Sequence, residues 1–167
     1  MGWIEELKED LKKVDDYIRE GGWLDYLRRL KLEAEKWREE GIKFKPSKKV
    51  VKEKYIDYVR RGKIFELKGL YEITGIEPEL PEDVVQEGYT VCVKRGWINE
   101  LGELQEITGI KPLENIVQEG YVACIREGEI DKLERLRGIT GIKPSEYVVQ
   151  EAIFKILHYL SQGKTGF

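Results

Sequence analysis

The chain repeats itself, and that repeat limits what it can fold into. Three segments superimpose without gaps: VVKEKYIDYVRRGKIFELKGLYEITGIEP, VVQEGYTVCVKRGWINELGELQEITGIKP and IVQEGYVACIREGEIDKLERLRGITGIKP. Successive copies begin 34 and then 32 residues apart, and each places its turn glycine 16 residues before its closing proline: Gly62 to Pro78, Gly96 to Pro112, Gly128 to Pro144. A fourth copy opens at Tyr147 as YVVQEAIFKILHYL and supplies a first helix alone. Upstream, Gly22 precedes Pro46 by 24 residues and leads into a related IKFKP, which lengthens the second helix there. Periods of this size belong to stacked supersecondary units, none of which can bury its apolar face alone.

Each copy is patterned as helix, turn, helix. Val85, Gly88, Tyr89 and Cys92 share one helical face, as do Val117, Gly120, Tyr121 and Cys124. Gly96 and Gly128 follow as left-handed C-terminal caps. The second helix carries Ile98, Leu101, Leu104 and Ile107, echoed by Ile130, Leu133, Leu136 and Ile139. A three-residue step falls about 60° short of a full turn, so this apolar band winds round the helix and needs neighbours on two sides. Thr-Gly-Ile-x-Pro closes each unit, because Gly ends the helix and Pro cannot continue it. Ser47 and Ser145 follow such prolines and are expected to cap the next helix.

No stretch alternates with a two-residue period for long enough to argue for a sheet. The pattern predicts an all-α solenoid of about nine helices in a single domain spanning residues 1–167. Four helical hairpins fall at about 3–45, 47–78, 81–112 and 113–144, with a C-terminal capping helix at about 145–161. In that cap Val149, Ile153, Ile156, Leu157 and Leu160 are expected to face inward.

The repeats resemble those of the tetratricopeptide and pentatricopeptide superfamily of α-solenoids. The pentatricopeptide pattern is the nearer, with a first helix ending at Lys94-Arg95-Gly96, a second through Ile98 and Leu101, and Gly109-Ile110-Lys111-Pro112 closing the unit. The likeness covers about residues 47–144 and implies a right-handed α-α superhelix. Members of that family read RNA through small polar residues early in the first helix. Glu87, Glu119 and Glu151 stand near that position here, where a carboxylate repels phosphate, so the resemblance implies the fold and not the RNA function.

Composition narrows the class of activity. The chain is 41% hydrophobic and 37% charged, which excludes disorder by composition. No apolar run approaches the roughly 20 residues needed to span a bilayer. The opening MGWIEELKEDLKKVDDYIRE lacks the pattern of a signal peptide, and Glu6 stands where a myristoylation motif requires Ser or Thr. A cytoplasmic protein without membrane contact is expected. High Lys and Glu, with few Asn, Gln, Met, Cys and His, resembles hyperthermophile usage and predicts a heat-adapted source.

Two surfaces are candidates for binding. Gln86-Glu87, Gln118-Glu119 and Gln150-Glu151 recur in register on three successive first helices. Stacking would align them as a polar ladder able to grip basic or amide-bearing segments of an unknown protein partner. The alternative is that each Gln bonds to a neighbouring turn and each Glu is solvated. The second candidate is the basic segment 43–63, where nine cations, among them Lys45, Lys48, Lys49, Lys52, Arg60, Arg61 and Lys63, face only Glu53 and Asp57. Such a patch attracts anionic partners, nucleic acid included, which ranks behind protein because Tyr55 and Tyr58 occupy core positions and cannot stack on bases. Phe154 and Phe167 are surplus apolar groups that point to weak self-association through the C-terminal helix. Trp23 and Trp97, each following a turn glycine, either anchor a partner or lie flat on a neighbouring turn.

Catalysis, cofactors and metals are not expected. Cys92 and Cys124 hold one repeat position 32 residues apart, unlike the close pairs of metal sites, and read as small core residues. Gly163-Lys164-Thr165 has His158 where a phosphate-binding loop needs glycine. His158 has no evident orienting partner for acid-base work.

Overall fold

The computed structural model describes residues 2–163, so Phe167 and Lys164-Thr165 lie outside the described residues. Among the described residues the chain forms ten α-helices and one 3-10 turn, with no strand. The described residues divide into two compact units, 2–59 with 63–80, and 60–62 with 81–163.

The first unit holds α1 (Gly2–Lys12), α2 (Val14–Glu20), α3 (Leu24–Lys36), a 3-10 turn (Arg38–Glu40), α4 (Lys48–Arg60) and α5 (Ile64–Thr74). Where the sequence suggested one opening helix there are two, which raises the count from about nine to ten. At Lys13 the backbone tightens, its N–H donating at 3.0 Å to the carbonyl of Asp10, three residues back instead of four. Asp10 anchors the corner by accepting from the hydroxyls of Tyr26 at 2.6 Å and Tyr17 at 3.4 Å. That hydrogen bond, followed by burial, pushes the Tyr26 hydroxyl well above its ordinary range. Trp23 rests on the rings of Tyr17 and Tyr26 and donates its indole N–H to Glu20.

The second unit holds α6 (Glu82–Arg95), α7 (Ile98–Thr108), α8 (Glu114–Glu127), α9 (Ile130–Thr140) and α10 (Glu146–Ser161). α6 pairs with α7, and α8 with α9; then α6 packs on α8, α8 on α10, and α7 on α9. First helices thus form one row and second helices another. Each first helix ends alike. Trp97 N–H reaches back to Cys92 O at 2.8 Å, and Glu129 N–H to Cys124 O at 2.9 Å, around glycines at φ +68° and +71°. This is the left-handed C-cap that the glycines at 96 and 128 predicted.

Tight packing between rows depends on one missing side chain. A Cβ on Gly120 would stand 2.9 Å from Leu136 Cδ2 and 3.1 Å from Val93 Cγ1, so a larger residue would push α8 off its neighbours. Val85, Tyr89 and Cys92, with Val117, Tyr121 and Cys124, are buried, as are Ile98, Leu101 and Leu104. Burial pushes the Cys92 thiol up to about 12 and raises that of Cys124. Both are core residues with inert thiols.

The last helix departs from expectation. Val149, Ile153, Ile156, Leu157 and Leu160 are exposed, and Val148 is the one buried apolar side chain of α10. The contact face runs instead through Val148, Ala152 and Lys155, whose ammonium donates to the carbonyls of Ile125 and Arg126 at the end of α8. Ile125 O already accepts from Gly128 N–H, so the ammonium adds a second donor there and reaches Arg126 O in the last turn, where a cation also suits the helix dipole. Ser145 caps α10 as expected, accepting from Val148 N at 3.3 Å. The periodicity identified α10 as amphipathic, but the helix turns toward α8 the side whose lysine reaches the end of α8.

Candidate functional site

The surface that distinguishes this chain is assembled where each closing loop meets the first helix of its own copy. The loop is pinned by a buried tyrosine. Tyr55 donates its hydroxyl to Ile76 O at 2.7 Å and Tyr121 to Ile142 O at 2.5 Å, and Tyr89 does the same to Ile110 O. The motif's threonine completes the lock: Thr74, Thr108 and Thr140 donate to the carbonyls of Leu70, Leu104 and Leu136 and accept from the N–H groups of Ile76, Ile110 and Ile142. Burial raises the phenols, Tyr55 and Tyr89 to about 12 and Tyr121 in the same direction. Sequence reasoning placed these tyrosines in the core but missed the hydroxyl's role. The signal was a constant 19-residue spacing from tyrosine to threonine in all three copies.

Around this lock stand the ladder residues. Gln86 donates to Lys111 O at 2.9 Å and accepts from Leu113 N at 2.9 Å. Gln118 repeats the pair with Lys143 O at 2.9 Å and Ser145 N at 2.8 Å. Both amides are thus held by the chain's own loops, each with one N–H and one oxygen lone pair engaged. In the copy begun by α4, the same register carries Lys52, which pairs with Glu79 at 2.8 Å and holds that carboxyl below its usual range. Gln150, on α10, is exposed.

The glutamates are more available. Glu87 is exposed and meets Arg60 Nε at 3.1 Å, Glu119 is exposed, and Glu151 is half-buried beside Tyr147. An exposed pair such as Glu87 and Arg60 is worth only about 0–1 kcal/mol, so Glu87 can exchange it for another cation. Since α6, α8 and α10 pack successively, these three carboxylates mark one edge of the first-helix row.

In the basic segment Lys52 pairs with Glu79 and Arg60 with Glu87, and Lys45, Lys48, Lys49, Arg60, Arg61 and Lys63 are exposed. Arg60 and Arg61 belong to the second unit, the lysines to the first. Lys45 does enter a distinct feature. With Lys31, Arg38 and Lys43 it lines a cleft of about 350 Å³ in the first unit, floored by Ala34 and Ile73, with Glu35 the lone carboxylate. Lys31 and Arg38 come from α3 and the 3-10 turn, and no linear run of charge pointed to them.

Trp97 lies on a turn. Its ring would stand 3.0 Å from a Cβ at Gly62, and the Arg95 guanidinium lies over it at 4.7 Å from the ring centre. Trp23 sits on its aromatic neighbours yet keeps 40% of its surface exposed. Among the described residues, no cluster of three or more His, Cys, Asp or Glu side chains is arranged for a metal, and no helix is long and apolar enough to cross a membrane. The chain matches no family model, no curated protein and no solved structure.

Proposed function

We propose that the chain is a non-enzymatic helical-repeat scaffold of the cytoplasm, its hairpins following one another as a right-handed solenoid of tetratricopeptide-like kind, and that it binds a protein partner. The observation that carries this reading is the row of first helices in the second unit. Loops there are locked by internal tyrosine and glutamine bonds, while Glu87 and Glu119 are exposed and Glu151 is half-buried beside Tyr147. A rigid row of carboxylates suits a Lys- or Arg-rich peptide, since partner cations gain from several charges at once while the scaffold loses little entropy on binding.

The test is fluorescence anisotropy with a labelled Lys/Arg-rich peptide at about 150 mM salt, a condition that screens isolated surface charges. Glu119→Lys should weaken binding about tenfold, and adding Glu87→Lys should abolish it. Equal affinity in all three proteins would reject the carboxylate row.

The cleft lined by Lys31, Arg38, Lys43 and Lys45 favours a second reading, an anionic partner such as nucleic acid. On this reading immobilised RNA or DNA retains the protein above about 150 mM salt, and Lys43→Glu with Lys45→Glu releases it. Failure of retention at that salt would exclude it.

A further inference from the structure

The exposed face of α10 has the composition of a core. Val149, Ile153, Ile156 and Leu157 stand 32 residues after Val117, Tyr121, Cys124 and Ile125, which are 0–6% exposed, yet these four are 42–57% exposed and Leu160 60%. The earlier positions are covered because α8 has both a second helix, α9, and a following first helix, α10, against it. Among the described residues no helix plays either part for α10.

The spacing of the exposed residues specifies what covers them. Val149, Ile153, Ile156 and Leu160 follow one another at steps of four, three and four, the alternation of a coiled-coil seam, and Leu157 widens the stripe. A seam of this kind takes another α-helix along its length, not a strand or a flat surface. The five residues offer on the order of 500 Å² per copy, hence about 1,000 Å² across a pair, the lower bound for a specific interface and the size of a weak, reversible one.

We infer that the occupant is α10 of a second copy, laid antiparallel across a two-fold axis. In that register Val149 meets Leu160 of the partner subunit and Ile153 meets Ile156 of the partner subunit, so every apolar residue of the seam finds another and the interface closes on itself. Charge sets the direction. Glu146 continues the same seam one step toward the helix N-terminus, seven residues before Ile153. Parallel helices would place the two Glu146 carboxylates opposite each other, whereas antiparallel helices separate them by about 25 Å. The arrangement also matches what the chain does internally, because a first helix is covered by an antiparallel one in α6 with α7 and in α8 with α9. Each copy's α10 takes the place that a second helix occupies in the earlier hairpins.

Sedimentation equilibrium of the full chain from micromolar to millimolar concentration tests this. The expected result is a reversible monomer–dimer equilibrium. Ile153→Glu, at a position exposed in the monomer, should raise the dissociation constant about 100-fold or more with the helical circular dichroism unchanged. Direction is read with a short thiol cross-linker: an equimolar mixture of Val149→Cys and Leu160→Cys proteins should give covalent dimer, and neither protein alone should. A wild-type chain that stays monomeric to millimolar concentration would overturn the proposal and assign the seam to a different protein or to chain beyond it. Dimerisation unaffected by Ile153→Glu, or cross-linking of either single variant with itself, would overturn it equally.

Discussion

α8 and α10 begin with nearly the same words, IVQEGY and VVQEAI, and meet different fates. In α8 the tyrosine reaches a loop carbonyl, the glutamine clamps the start of the next helix, and the glycine lets neighbours close in. In α10 the matching residues are Ile153, Gln150 and Ala152. No hydroxyl is available to pin a loop, and the glutamine is exposed. Apolar periodicity reports that a face is meant to be covered; the neighbour that does the covering must be found separately. The last copy thus carries Ile153 where the three earlier copies carry a loop-pinning tyrosine.

The sharpest way to break the comparison is to truncate the same repeat position in both helices. Tyr121→Ala should cost about 3–5 kcal/mol, the range for removing a buried aromatic. Ile153→Ala in dilute protein should shift the melting temperature by less than about 2 °C, since its partner is absent from the monomer. Thermal denaturation of both variants decides it, and equal losses would mean that α10 is buried as deeply as α8.

Alkali should act next on the loop-pinning tyrosines that α10 lacks. Tyr55 and Tyr89 titrate near 12 in the fold and near 10 when unfolded, because burial disfavours the phenolate. A raised folded value means the stabilisation is complete below pH 10 and is lost as pH climbs through 12, at up to about 3 kcal/mol for each tyrosine. Helical circular dichroism against pH, with phenolate absorbance recorded alongside, should show cooperative unfolding in that window. Tyr89→Phe should shift the loss to higher pH.

A smaller effect is expected at the glycine. Gly120→Ala should destabilise by about 1–2 kcal/mol despite alanine's better helix propensity, because its Cβ meets Leu136 and Val93. Ala152→Gly, the reverse exchange in α10, should cost about 0.5–1 kcal/mol through backbone entropy alone. Urea denaturation of both variants measures these, and a stabilising Gly120→Ala would show that the rows are looser than described.

Smallest is the clamp. Gln118→Ala removes two hydrogen bonds near solvent and should cost about 1 kcal/mol, while Gln150→Ala should change stability by less than about 0.5 kcal/mol. Hydrogen exchange at the Ser145 amide should quicken in the first variant only.

Much of the fold was legible because the repeat states it three times. Helix identity, the glycine C-caps at 96 and 128, and the Ser145 cap follow from local chemistry, which sequence carries directly. The break at Lys13 was not legible, since neither proline nor glycine marks it and the contacts that bend the chain come from Tyr17 and Tyr26. The inner face of α10 was misassigned because its apolar stripe outweighed a lysine whose reach to the end of α8 is a tertiary contact. The polar ladder was legible as a pattern. That Gln86 and Gln118 serve the loops, while the glutamates face outward, depends on loop positions no periodicity encodes. The cleft around Lys31 and Lys45 joins residues 14 apart across a turn, so a scan for runs of charge found only half of it.

One repeat position offers a direct experiment, because Cys92 and Cys124 hold it in the buried copies and Ile156 in the last. Native protein diluted to low micromolar concentration should leave both natural thiols unreactive toward a thiol reagent, while the Ile156→Cys protein gains one thiol that reacts at nearly the unfolded rate. Labelling of Cys92 and Cys124 as fast as in denatured protein, or protection of the new thiol in the dilute monomer, would contradict an array whose inner copies are covered and whose last helix is open.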